Sequence, residues 1–151
     1  MRRFKDKRKQ ALADLEAYYQ RVDQAQPNFS CPRRGRCCQL RTTGREPYLW
    51  ELEWAALAKI VAERGGRMPP ARDDGGCRFL AEDGASCGVY ASRPFGCRTF
   101  GCELSSGHGR VERERLRVLT HELTEMALEY APEDGGPRPL SRFVESSEGA
   151  R

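Results

Sequence analysis

Seven cysteines in 151 residues constrain this chain more than any other feature. They fall in two groups. The first is Cys31, Cys37 and Cys38; the second is Cys77, Cys87, Cys97 and Cys102. All seven sit among Gly, Pro and Arg, outside the long apolar-periodic runs. Such segments let a chain turn back on itself, as converging metal-ligating side chains require. Four thiolates close a tetrahedral shell on zinc, and four also hold an iron–sulfur cluster. The second group supplies four by itself. The first supplies three and leaves one position for another residue, water or a substrate. The two groups can equally merge around one centre.

Two other readings compete. Buried free cysteines behave as small hydrophobes, which suits one or two of the seven but not the whole set. Disulfides need an oxidising compartment. The basic start, Met1 to Lys9, is followed by no apolar stretch, so it does not read as a secretory signal. The odd count also leaves one thiol over if all pairing is intramolecular. The expected setting is therefore the cytoplasm, and the expected use of the thiols is metal. Zinc leads, in a structural, storage or delivery role; the alternative is iron or an iron–sulfur cluster acting in or alongside an enzyme reaction.

Composition points the same way. Charged residues make up 32%, hydrophobic ones 38%, and mean hydropathy is −0.74. That is less apolar than an average domain, so the core is thin. Metal binding coupled to folding would compensate. No run of about 18 apolar residues occurs, so no membrane span is expected.

The charge is uneven. Residues 1–45 carry 12 Lys/Arg against 4 Asp/Glu, whereas residues 46–151 carry 14 against 18. Arg2, Arg3, Lys5, Lys7, Arg8 and Lys9 read as a solvated helix start. Arg33, Arg34, Arg36, Arg41 and Arg45 interleave with the first cysteines, where guanidiniums lower thiol pKa values and offset thiolate charge. Basic patches also bind phosphate backbones. A zinc-stabilised nucleic-acid module is therefore a third reading. It ranks last, because the paired Cys-x2-Cys of a finger or ribbon is missing. A protein partner is open.

Three stretches show helical periodicity. Over 5–25, Leu12, Leu15, Tyr18, Tyr19 and Val22 extend a face begun by Phe4, and Pro27-Asn28 ends it. Over 47–64, Pro47 suits a first turn. Leu49, Leu52, Trp54, Leu57, Ile60 and Val61 form the apolar stripe there, and Gly65-Gly66 stops it. Over 111–130, Val111, Leu116, Val118, Leu119, Leu123, Met126, Ala127 and Tyr130 are the apolar positions, and the other face is charged. Cys77–Leu80 and Cys87–Tyr90 read as a small hairpin. The expected fold is mainly α with a small β-hairpin, a small Cys-rich, metal-centred domain with about three longer helices. Its parts would be a basic amphipathic helix over 1–28, the cysteine domain over 29–131 and a flexible tail over 132–151. Phe143 and Val144 would allow one short piece of that tail to dock.

The run from Cys77-Arg78-Phe79-Leu80 to Cys87-Gly88-Val89-Tyr90, then Arg93-Pro94-Phe95-Gly96-Cys97-Arg98-Thr99-Phe100-Gly101-Cys102, resembles the YkgJ-type cysteine-cluster family. The resemblance covers about residues 29–102 and implies chelation of zinc or iron by the cysteines. The opening departs from the pattern. The family usually shows Cys-x-x-Cys-Gly-x-Cys-Cys or a form one residue longer, and Arg34 stands where a cysteine is expected. The ligand missing from an eight-cysteine arrangement thus belongs to the first group.

Arg93 and Arg98 are candidates to support the site by donating hydrogen bonds to sulfurs or loop carbonyls. The competing reading pairs them with surface acids such as Glu82 or Glu103. His108, in a Ser/Gly loop, is a candidate extra ligand, whereas His121 fits a helix face. No Ser/His/Asp set, phosphate-binding glycine loop or carboxylate pair is readable, so no catalytic residue is assigned. A nucleophilic Cys37 or Cys38 ranks below a metal role.

Overall fold

The computed structural model describes residues 2–26, 34–100 and 111–148, with side chains from residue 5 onward. Cys31, Arg33, Cys102 and His108, and the side chains of Arg2, Arg3 and Phe4, lie outside the described residues. The elements in chain order are α1 (Arg2–Gln24), a 3-10 turn (Arg36–Cys38), α2 (Leu40–Thr43), β1 (Tyr48–Leu49) and α3 (Glu51–Glu63). A second 3-10 turn (Tyr90–Ser92), α4 (Phe95–Arg98), α5 (Arg113–Tyr130), β2 (Arg138–Pro139) and α6 (Leu140–Glu148) complete them. The fold is mainly helical with one small antiparallel sheet, as the periodicity implied. No helix among the described residues is long and apolar enough to cross a membrane.

The three long helices pack on one another. Leu15, Tyr18, Tyr19 and Val22 of α1 meet Leu52 of α3 and Leu119 and Leu123 of α5 in one apolar cluster. These are the residues that the helical spacing places on single faces. The Tyr18 hydroxyl, taken out of water, donates to the Leu119 carbonyl at 2.8 Å, as a buried polar group must. Opposite, Leu49 and Leu57 meet Cys38, Cys77, Phe79, Leu80 and Val89 in a second cluster. Helix α3 stands between the two.

Three expectations are corrected. Pro47 does not open a helix. It precedes β1, and α3 begins only after Trp50, whose backbone N–H donates to the Glu53 carboxylate at 3.1 Å. The sheet is not built from the cysteine segments. Tyr48 pairs with Pro139 and Leu49 with Arg138, while the expected hairpin contributes a single bridge between Leu80 and Cys87. Its second arm turns into the 3-10 segment at Tyr90–Ser92 after three residues.

The expectation of a flexible tail fails over 138–148. Leu140, Phe143 and Val144 are buried in the second cluster, and Phe143 stacks on Trp54 with centroids 5.5 Å apart. Leu140 donates its N–H to the Pro47 carbonyl at 3.0 Å. Arg138 pairs with Glu51 at 2.7 Å and lies over the Phe143 ring. A spacing of three between Leu140 and Phe143 puts the apolar side chains of α6 on one face, and the cysteine side of α3 has apolar surface to cover.

Candidate metal centre

Two loops and a turn bring four cysteines together. Cys37 and Cys38 sit on the first 3-10 turn, Cys77 opens the expected hairpin and Cys87 closes its bridge. The Cys77 N–H donates to the Cys38 carbonyl at 2.6 Å, which fixes the first cysteine group against the second. The turn between Leu80 and Cys87 is held by Asp83. Its carboxylate accepts from the backbone of Ala85 (2.9 Å) and Ser86 (2.8 Å) and from the Ser86 hydroxyl (2.6 Å). These donors keep the Asp83 carboxyl low, at about 2.

Gly35 makes the approach possible. Its φ is +65°, a left-handed value that costs other residues energy. A side chain there would also collide with the Gly84 carbonyl oxygen. Only glycine lets the 36–38 turn lie on the 84–85 turn and so carry Cys37 and Cys38 towards Cys87.

Cys38 is the hub. It is buried, its sulfur lies 3.9 Å from that of Cys37, and Cys77 and Cys87 pack in the same cluster. The neighbouring thiols, with burial, raise the Cys38 thiol well above its ordinary value. Proximity to Cys38 lowers its neighbours against the opposing effect of burial: Cys37 to about 6, Cys87 to about 7, and Cys77 in the same direction. The positive charge of Arg93 adds to the lowering at Cys37 and Cys87. A cavity of about 60 Å³ opens among Gly35, Cys37, Cys38, Cys87, Tyr90 and Arg93.

Cys97 stands beside this set on α4. Burial raises its thiol, and the charges of Cys77, Cys37 and Cys87 raise it further. Helix α4 is tied down by a residue that sequence reasoning passed over. Glu53 is 1% exposed and accepts from the Tyr19 hydroxyl (2.9 Å), the Phe95 N–H (2.8 Å) and the Trp50 N–H. Burial raises its carboxyl, while those hydrogen bonds oppose the rise. A signal existed: Glu53 falls within the apolar stripe of α3, three residues after Trp50, where a helix-capping carboxylate sits.

Arg98, 3% exposed, donates to the carbonyls of Arg93 (2.8 Å) and Ala91. It also pairs with Asp23 of α1 at 2.6 Å and lies over the Tyr19 ring at 4.2 Å. Arg93 donates through Nε to the Tyr90 carbonyl at 3.0 Å, with its guanidinium 3.8 Å from the Tyr90 ring centroid. His121 lies on an exposed face of α5, 3.7 Å from Glu125.

The donor set fits a soft cation: thiols suit zinc, and they suit iron in clusters. No three His, Cys, Asp or Glu side chains among the described residues already stand in a metal-holding arrangement. Of the four sulfurs, those of Cys37 and Cys38 are in contact, 3.9 Å apart.

The family model CxxCxxCC, described as "Putative zinc- or iron-chelating domain", matches residues 30–121. The chain belongs to this family. The match takes in the five described cysteines, Cys37, Cys38, Cys77, Cys87 and Cys97, together with the segments that carry Cys31 and Cys102. In this member of the CxxCxxCC family the second cysteine of the name-giving motif is Arg34, whose side chain is exposed. No curated protein and no solved structure matched the chain.

Proposed function

We propose that this member of the chelating family is a non-catalytic thiolate metal protein, with Cys37, Cys38, Cys77 and Cys87 as the first ligand set and zinc as the leading metal. The observation that carries the reading is the position of Cys38: its sulfur lies 3.9 Å from that of Cys37, its carbonyl accepts from the Cys77 N–H, and Cys77 and Cys87 pack in the same cluster. A bound cation would take the place of the thiol protons of these four residues. Cys97, with Cys31 and Cys102, supplies the remaining thiols of the set.

When bound, the metal supplies a cross-link between the two cysteine groups. This chain's own residues prepare for it. Gly35 permits the close approach, the Asp83 turn presents Cys87, and Arg93 offsets thiolate charge. Arg98 holds the α4 turn to α1 through Asp23, so that Cys97 keeps its place beside the cluster. The role that follows is structural: metal in place of the apolar contacts that a thin core lacks.

The test is elemental analysis with an ultraviolet–visible spectrum on protein purified without oxygen and without a nickel column. Zinc with no visible band is the expected result, together with loss of that zinc in Cys38→Ser. Iron with acid-labile sulfide and absorbance near about 400 nm would replace zinc by an iron–sulfur cluster on the same thiols. Full metal content in Cys38→Ser would overturn the assignment of the hub.

A further inference from the structure

A cavity of about 420 Å³ opens between α3, α4 and the β1 edge. Its volume is that of a small-molecule site, which runs from roughly 300 to 1,000 Å³. Aromatic faces dominate its walls: Tyr48, Trp50, Phe95 and Phe100. Tyr48 is 57% exposed, the most exposed large apolar side chain among the described residues. Cys37 and Cys97 line the cavity as well. Because Cys37 also lines the small cavity beside Cys38 and Cys87, an occupant would lie against the cysteine cluster.

The charges on this cavity are not balanced by one another. Its two carboxylates are engaged, Glu46 by the Ser141 N–H at 2.6 Å and Glu53 by its three donors. The hydroxyls of Thr99 and Thr120 donate to the Phe95 and Leu116 carbonyls. Among the described residues, Arg45 is the one basic side chain on the wall. Its guanidinium lies 5.9 Å from the Phe100 ring centroid, and no ion pair engages it among the described residues. Aromatic faces stack flat apolar groups, and an uncommitted guanidinium recognises a carboxylate through paired N–H donors.

We propose that this cavity binds a small planar organic anion, an arene carboxylate in its simplest form, with the ring between the aromatic walls and the carboxylate on Arg45. The proposal stands on the cavity and its charge and does not depend on the identity of the metal.

The test titrates the full chain, as purified with its metal, with benzoate and with its neutral isostere benzamide. Binding is followed by tryptophan fluorescence and calorimetry. Benzoate is expected to bind saturably and at least about tenfold more tightly than benzamide. Arg45→Gln is expected to remove that preference while leaving metal content unchanged. Thr120→Phe, which fills the cavity from α5, is expected to abolish binding of both.

No saturable benzoate binding, or an unchanged preference in Arg45→Gln, would overturn the proposal. Benzoate binding by a chain that contains no metal would overturn the metal reading and leave this one standing.

Discussion

On one side of α3, Leu52 packs with Leu15, Tyr18, Tyr19 and Val22 of α1 and Leu119 and Leu123 of α5. On the other, Leu57 meets Cys38, Cys77, Phe79 and Val89, carried on loops, turns and one isolated bridge. The helical side is held by apolar side chains that regular backbone presents together. The cysteine side has little regular backbone, and it spends part of its interior on thiols. Its cohesion rests on the apolar cluster that Leu140, Phe143 and Val144 complete and on a few backbone links, such as Cys77 to Cys38 and Gly88 to Phe79. Burial organises both sides; on the function proposed above, metal at the sulfurs would add to it on the second.

The largest expected effect separates the two sides outright. Stripping the metal with a chelator under reducing conditions should release the Cys77 and Gly88 amides to fast hydrogen exchange. Amides within α1 and α5 should stay protected. Equal loss of protection in both regions would show that the two sides fold as one unit.

Next in size is Leu52→Ala, which deletes a fully buried side chain from the helical side. A loss of about 2–5 kcal/mol is expected in denaturant unfolding, from transfer and cavity terms, with metal stoichiometry kept in the fraction that remains folded. A change in stoichiometry would show that the helical packing reaches the sulfurs.

Gly35→Ala attacks the cysteine side without touching a sulfur. The left-handed backbone alone costs about 1–2 kcal/mol, and the collision with the Gly84 carbonyl adds to it. Metal affinity and melting temperature should fall together. A variant with unchanged affinity would mean that the two turns need not touch.

The smallest effect is expected from acid at Asp83. Its folded-state carboxyl lies at about 2 against an ordinary 3.8. The turn therefore gains stability from Asp83 above about pH 4 and loses it as the pH falls towards 2. Nuclear magnetic resonance of the Ala85 and Ser86 amides should follow that loss, and Asp83→Asn should abolish the pH dependence.

The helical side was legible in the sequence because its physics is local. A spacing of three and four places Leu15, Tyr18, Tyr19 and Val22 on one face whatever packs there. The candidate cysteines were legible by residue type, and the family pattern over 77–102 gave their grouping. Several features were not. Glu53 looks like a polar interruption of α3 until Tyr19, Trp50 and Phe95 are seen to donate to it. Arg98 was legible as a donor to loop carbonyls, but not its partner Asp23, on a helix 75 residues away. The docking of α6 could be suspected from Phe143 and Val144, but its strand partner 90 residues upstream could not.

The sequence by itself determined that this chain forms three long amphipathic helices and carries thiols enough for a metal. Both follow from properties of single residues and their spacing. Only the tertiary structure decided that Cys38 lies among Cys37, Cys77 and Cys87, that Gly35 seats against Gly84, and that the chain's end covers the cysteine side of α3. Contacts between residues far apart in the chain depend on how loops close, and no periodicity encodes that closure.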